Sequence, residues 1–138
     1  MQGYNLIAVI SPDEKQMLML LRQKNPYMGL YNLPGGKIEP GEDGYAAAYR
    51  ELEEESGITR EDIHLQHLVD FSYPLDQCYV ETYAGFLQRD VALKEEEHPL
   101  LWMELTENFF SLEKYAGEGN IGHIVEHIRL AWDRIKEA

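Results

Sequence analysis

Cysteine is almost missing from this chain. Cys78 is the only one among 138 residues, which excludes an intrachain disulfide and leaves a thiolate zinc cage short of ligands. A lone cysteine of this kind is read as core filler rather than as a nucleophile. Cations are scarce too. Twelve Lys and Arg stand against 25 Asp and Glu, a formal net charge of −13, which repels a long polyanion and removes the basic footprint of a general DNA or RNA binder. A small phosphorylated partner stays possible, because divalent cations screen both its charges and those of an acidic site. No apolar stretch approaches membrane-spanning length, and the N-terminus lacks the basic region, apolar run and small-residue cleavage site of a signal peptide. A cytoplasmic protein that does not engage a membrane is therefore expected. Linker-like Ser/Gly/Pro stretches and internal repeats are also lacking, and 44% hydrophobic with 27% charged residues is ordinary globular composition. Residues 1–138 are expected to form one domain.

Tyr4–Ile10 and Gln16–Arg22 are apolar runs of strand length separated by Ser11-Pro12-Asp13-Glu14-Lys15, a turn-rich segment that predicts a hairpin. Residues 23–32 read as a loop leading into Leu33-Pro34-Gly35-Gly36-Lys37, with a second turn at Pro40-Gly41. From Asp43 to about Ser56 strong helix formers dominate, and Gly57 stands where a C-cap belongs. Ile63–Tyr73 and Cys78–Leu87 predict two strands around a break at Pro74, and Leu100–Met103 a short one. Ile121, Ile124, Val125, Ile128, Trp132 and Ile135 recur at helical spacing, so the chain should end in one amphipathic helix. Strands interrupted by an early and a late helix favour helices on the faces of a mixed sheet.

The chemistry is concentrated in residues 36–58, GKIEPGEDGYAAAYRELEEESGI. Glu51, Glu54 and Glu55 are related by i, i+3 and i+4 spacings, which puts three carboxylates on one helix face. They fall in the last turns, where the macrodipole disfavours negative charge and each like-charge pair costs about 0.2–0.5 kcal/mol. A solvated acidic face relieved by Arg50 at i−4 from Glu54 is the plain alternative. A hard divalent cation, which needs several oxygen ligands in one place, removes the conflict directly. Gly35-Gly36 would let the backbone approach such an ion and its phosphate ligands.

The same segment fits the pattern G-x5-E-x7-R-E-U-x-E-E-x-G-U, where U is a bulky apolar residue. Gly36, Glu42, Arg50, Glu51, Glu54, Glu55 and Gly57 take the fixed positions, and Leu52 and Ile58 the apolar ones. With this chain's composition, a chance match is on the order of one in ten million per starting point. The segment thereby resembles the Nudix box. That resemblance implies a Nudix-like α/β/α sandwich of α+β type with a mixed sheet. It implies that Glu51, Glu54 and Glu55, with the Gly35 carbonyl, hold Mg2+, for which Mn2+ would substitute. Arg50 and Glu42 would position the other groups, and Gly36 and Gly57 would be structural. Water would attack one phosphorus of a diphosphate linkage without a covalent enzyme intermediate.

Relatives draw a further base from different places. Glu97, in Glu95-Glu96-Glu97-His98-Pro99, resembles their extra metal-facing carboxylate, against an acidic surface loop as the plain reading. Arg22 ends a predicted strand just before the box, where a guanidinium suits either a phosphate clamp or a surface ion pair. Tyr31-Asn32 resembles an aromatic-Asn pair in some oxidised-purine triphosphatases. Asn32 would then read a base edge, although Asn also stabilises turns. Tyr27, Phe71, Tyr73 and Tyr83 offer flat surfaces for a base, yet most aromatics in a small domain fill core space. His123 and His127 share the spacing of a zinc chelate without the H-E-x-x-H order, so helix-surface histidines are the simpler reading.

The branch most resembled is the short MutT-like enzymes that hydrolyse (d)NTPs, oxidised ones included, to the monophosphate and pyrophosphate. An ADP-ribose or other nucleoside diphosphate-derivative pyrophosphatase is the alternative, and Pro74, sixteen residues past Ile58, resembles one of its markers. A non-catalytic nucleotide-binding module is the third reading, disfavoured because every box carboxylate is present. The expected partner is a small nucleotide, met by a monomer or homodimer.

Overall fold

A computed structural model describes residues 1–138. Its centre is a parallel pair, β1 (Gln2–Ile10) and β5 (Cys78–Phe86), in unbroken register from Gln2↔Cys78 to Ile10↔Phe86. β4 (Gln66–Tyr73) adds antiparallel to β5 with an irregularity between His67 and Val69. With β2 (Gln16–Leu21), β3 (Tyr31–Asn32) and β6 (Leu100–Glu104), also antiparallel to their neighbours, the sheet is mixed.

The hairpin predicted for the first two strands forms only at its base. β1 and β2 pair at Ile10↔Met17 and then part. Met17 is paired with both Ile10 and Met103, and Leu20 with both Leu100 and Asn32. β6 therefore runs along one edge of β2, while β1 and β3 divide the other edge between them. The wedge opened beside β1 is filled by the Gly-rich segment itself. Ile7 N–H donates to the Pro34 carbonyl at 2.8 Å, Asn5 N–H to Gly36 at 2.9 Å, and Ile38 N–H to Gly3 at 2.9 Å. Buried backbone groups must be paired, and here the loop supplies what β2 does not. The segment expected to be wholly loop accordingly ends in the two-residue strand β3.

Alternation along β1 separates two cores. Ile7 and Val9 face α1 (Gly44–Ser56), whose Ala48 and Leu52 pack on them with Leu18 and Ile58. Ala8 and Ile10 face the opposite layer, where Ile121, Ile124, Val125 and Ile128 of α2 (Asn120–Leu130) pack with Met17 and Met19. One helical layer on each face of a mixed sheet is the expected sandwich. The final helix is not continuous as predicted. It breaks at Ala131, and α3 (Trp132–Lys136) follows. The break lets Trp132 meet Phe86 edge-on at 4.8 Å while Ile135 stays in the core. No helix is long and apolar enough to cross a membrane.

Candidate active site

α1 is delimited as its sequence dictates. Asp43 caps the first turn by accepting the Ala46 N–H at 3.2 Å, and Gly57, at φ 82°, ends the helix by donating to the Glu53 carbonyl at 2.8 Å. The buried stripe of Ala47, Ala48, Leu52 and Ser56 fixes the rotation of the helix on the sheet. That rotation sends Glu51, Glu54 and Glu55 toward the Gly-rich segment.

The three carboxylates line one cavity of about 230 Å³ together with Arg22, Lys24, Gly35, Glu96, Glu97 and His98. Five carboxylates thus face two cationic side chains, so the cavity carries excess negative charge. Gly36 brings the loop against α1, since a Cβ there would lie 2.5 Å from the Glu51 carboxyl carbon. Gly35 brings it against β1, since a Cβ there would lie 2.0 Å from the Asn5 carbonyl oxygen. An open depression of about 770 Å³ on the outer side of α1 is larger. Its wall is a mixture of Arg50, Arg60, Glu53, Glu54 and Glu61 beyond the Gly-rich segment, so it lacks the convergence of backbone and carboxylates.

Arg50 organises the entrance. Its Nε and Nη2 donate to the two oxygens of Glu42 at 2.7 and 2.8 Å, Nη1 donates to Glu51 at 3.0 Å and to Glu54 at 3.4 Å, and Nη2 also reaches the Lys37 carbonyl at 3.2 Å. A planar guanidinium serves several acceptors at once in this way. The Arg50 contact, with a backbone N–H from Glu39, holds the Glu42 carboxyl down at about 2. Glu51 goes the other way, because burial outweighs the help of Arg50 and raises it. Burial dominates at Glu55 as well and pushes it up to about 7, although its Oε1 accepts the Gly35 N–H at 2.7 Å. Nearby Glu51 and Glu96 add to that rise, and Arg22 opposes it.

Glu97 lines the cavity but is exposed and bound to Lys24 Nζ at 2.6 Å, which keeps its carboxyl below the usual range. His98 is buried beside it, its Nδ1 accepting the Gln23 N–H at 3.0 Å. Nδ1 is therefore the acceptor nitrogen, and burial lowers the imidazole's basicity. Arg22 holds the 23–30 loop as well as facing the cavity, through Nε to the Pro26 carbonyl at 3.1 Å.

Tyr31 and Asn32 lie outside the cavity lining. Tyr31 packs toward the α2 side, its ring 6.3 Å from that of Tyr115. Asn32 Oδ1 accepts the Leu33 N–H at 2.9 Å, and its strand partner is the cavity residue Leu20. Tyr83 is buried under α1, stacked on His67 at 4.9 Å, so it offers no free face to a base. Tyr27 and Tyr73 sit near the start of α2, the first hydrogen-bonded to Glu118 and the second to Asn120. His123 and His127 are exposed on α2, and His123 meets Phe110 edge-on. Asn5, Lys24, Glu96 and His98 were not singled out from the sequence. Asn5 alone left a signal there, a polar residue in the inward alternation of Ile7 and Val9.

No three His, Cys, Asp or Glu groups are close enough to grip an ion as they stand. Arg50 draws Glu51 aside and Gly35 holds Glu55. The donor chemistry nevertheless fits a hard divalent cation. The donors are carboxylate oxygens, and two of the carboxylates are partly buried without full compensation of their charge.

The sequence model of the NUDIX domain matches residues 1–127. The chain belongs to the Nudix family. Among curated Nudix relatives, it is 42% identical over 51 residues to the ADP-ribose pyrophosphatase of Methanocaldococcus jannaschii, a match covering 37% of this chain and 30% of that protein. It is 32% identical over 69 residues to the 8-oxo-dGTP diphosphatase of Escherichia coli, covering 49% and 54%. These matches span from less than a third to about half of the relatives' lengths. The fold is shared more completely. A C. elegans Ap4A hydrolase superposes with a TM-score of 0.77 at 20% identity, over 97% of this chain and 99% of the other.

Proposed function

We propose that this Nudix domain hydrolyses the diphosphate linkage of a small nucleotide with Mg2+, or Mn2+ in its place. The (d)NTPs, oxidised purine forms included, are the leading substrates. The observation that carries the reading is the cavity in which Glu51, Glu54 and Glu55 of a complete box meet Gly35, the residue just before it. Glu51, Glu54, Glu55 and the Gly35 carbonyl would hold the cation, which supplies charge neutralisation at phosphate and activation of water.

The protein's own groups divide the remaining work. Arg50, gripping Glu42, fixes Glu51 and restrains Glu54. Arg22 and Lys24 are the cavity's two cations, suited to phosphate oxygens that the carboxylates alone would repel. A triphosphate drawing Lys24 away from Glu97 leaves that carboxylate free to take the proton of the attacking water. The new bond joins water oxygen to phosphorus as the anhydride P–O bond breaks, yielding a monophosphate and pyrophosphate. Asn32, with Tyr31 beside it, would read the base from β3. The setting proposed is the cytoplasm, with a monomer or homodimer acting on free nucleotides.

A second reading, hydrolysis of ADP-ribose or a related diphosphate, draws support from likeness to the M. jannaschii enzyme. Both are tested by one panel of 8-oxo-dGTP, dGTP, dCTP and ADP-ribose, with Mg2+ and with chelator, identifying the products. Monophosphate plus pyrophosphate from the purine triphosphates is expected. AMP plus ribose 5-phosphate as the dominant products would favour the second reading. Nucleotide binding without turnover would reduce the domain to a binding module.

A further inference from the structure

Asn5 stands in the middle of β1, 1% exposed, with the Gly-rich segment laid over it. It grips one residue of that segment twice. Its backbone N–H donates to the Gly36 carbonyl at 2.9 Å, and its side-chain Oδ1 accepts the Gly36 N–H at 3.0 Å. The first contact belongs to the isolated antiparallel bridge Tyr4↔Lys37. The second replaces a ladder carbonyl by a side chain. Asn5 Nδ2, at the other end of the same amide, is the one buried side-chain nitrogen or oxygen in the protein without a hydrogen-bond partner.

An unpaired buried N–H is costly and calls for a reason. A residue needed only to fill this inward position beside Ile7 and Val9 would be apolar. The retained amide has one partner, the Gly36 N–H, so its reason lies there. The Gly36 N–H and the Gly35 C=O belong to one planar trans peptide and point in opposite directions. Drawing the N–H toward Asn5 therefore aims the Gly35 carbonyl away from β1. Gly35 faces the carboxylate cavity, and its own N–H is held by Glu55 at 2.7 Å. The peptide planes on both sides of Gly35 are thus fixed from opposite directions, one by α1 and one by β1.

We infer that Asn5 is a positioning residue that aims the Gly35 carbonyl into the carboxylate cavity, setting a backbone ligand for the divalent cation from beneath the loop. The inference rests on the proposed cation site and adds to it a residue outside the box. Asn5 touches neither ion nor substrate. Its side chain acts through the orientation of one peptide group, in the manner of groups that orient metal ligands from behind.

The test uses the full chain and Mn2+ alone as probe, followed by electron paramagnetic resonance, with Gly36 amide exchange measured by NMR on the metal-free protein. Asn5→Leu keeps the approximate size but removes the acceptor. Its Mn2+ affinity should fall about tenfold, the usual scale for removing such support, and Gly36 exchange should accelerate. Its Tm should stay within about 5 °C, because the lost Gly36 bond is offset by removal of the unpaired Nδ2. Asn5→Asp returns an acceptor oxygen and should restore Gly36 protection. Should Leu not be accommodated, Asn5→Ala removes the acceptor without adding volume and carries the same expectations for Mn2+ and Gly36. Unchanged Mn2+ affinity in a folded variant with an exposed Gly36 amide overturns the inference. So does a large fall in Tm with affinity intact, the mark of a merely structural residue. Wild-type protein that binds no Mn2+ would defeat the site itself, so the two failures are distinguishable.

Discussion

Glu55 accepts the Gly35 N–H at 2.7 Å, joining the last turn of α1 to the loop that lies along β1. The bond crosses twenty residues of chain and draws an ionisable group into a partly buried place where its charge is poorly solvated. Much of what the site should do on mutation follows from that compromise.

Glu54→Gln and Glu55→Gln should each lower turnover at limiting Mg2+ by about a hundredfold or more, since each removes a charge from the proposed cation site. Both should stay folded, because Glu54 is half exposed and a glutamine oxygen at position 55 still accepts the Gly35 N–H. Steady-state rates and melting curves of the purified variants check this. Full activity in either would put the cation on another face.

The raised Glu55 carboxyl predicts a pH dependence of stability in the metal-free protein. Its folded value, about 7, lies above its ordinary 4.5, so between the two the folded state binds more protons than the unfolded state. Stability from this group is therefore present at low pH and lost as pH rises from about 4.5 to about 7. Thermal melts with chelator should decline across that window, and Glu55→Gln should flatten the decline. Activity with Mg2+ should run the opposite way and rise with pH, because the proposed cation site requires the ionised carboxylate. A metal-independent acidic optimum would contradict the site.

Arg50→Lys should cost about tenfold or more in kcat/KM despite keeping the charge, because an ammonium cannot span both Glu42 oxygens and Glu51 together. Glu42 supplies a second readout. Its depressed carboxyl stabilises the fold above its ordinary 4.5, an effect lost as pH falls through about 2. In the variant, an NMR titration should find Glu42 shifted upward. An unmoved Glu42 would show that Arg50 is not what holds it.

Gly35→Ala should destabilise the protein by about 1–3 kcal/mol and impair activity, because the added Cβ would sit 2.0 Å from the Asn5 carbonyl oxygen. That oxygen belongs to the central parallel pair and has little freedom to retreat. Gly41→Ala is the control. It has open space around it and only a left-handed φ of 77° to strain, costing about 1–2 kcal/mol with a smaller effect on turnover. Equal activity in Gly35→Ala and wild type would mean the loop can lift from β1.

Asn32→Ala tests base reading. Oδ1 already serves the Leu33 N–H, so Nδ2 is the group left for a ligand. A base-reading role predicts a loss on 8-oxo-dGTP and dGTP of about 1–3 kcal/mol in transition-state binding, with dCTP and ADP-ribose much less affected. Equal losses on all four substrates would reduce Asn32 to a brace for the loop.

The box, the early helix and its Gly57 C-cap were legible because they are local. The spacings of Glu51, Glu54 and Glu55 set their common face, and Asp43 and Gly57 mark the helix ends by the conformations their residue types favour. The strands other than β3 were legible from apolar runs and breaks, to within a few residues, whereas the two residues of β3 read as loop. Their pairing was not. Nothing local says that β1 leaves β2 after Ile10↔Met17 to run beside β5, since that choice depends on what the Gly-rich segment offers β1 in place of a strand. The break at Ala131 also escaped the apolar periodicity, which continues through it; only the placement of Trp132 against Phe86 decides the turn.

Which carboxylates are hard to ionise was equally invisible. Glu55 is pushed up to about 7 because α1 packs it inward beneath Gly35, a burial that residue type and spacing do not reveal. The pairing of Glu97 with Lys24 arises from two loops 73 residues apart. Residue type and spacing alone determined that this chain carries a Nudix box and a helix with three aligned carboxylates, because both are properties of a few consecutive turns. Tertiary structure alone decided how those carboxylates are desolvated, which cations oppose them and that Asn5 lies beneath the loop, because burial and long-range contact exist only once the strands have chosen their partners.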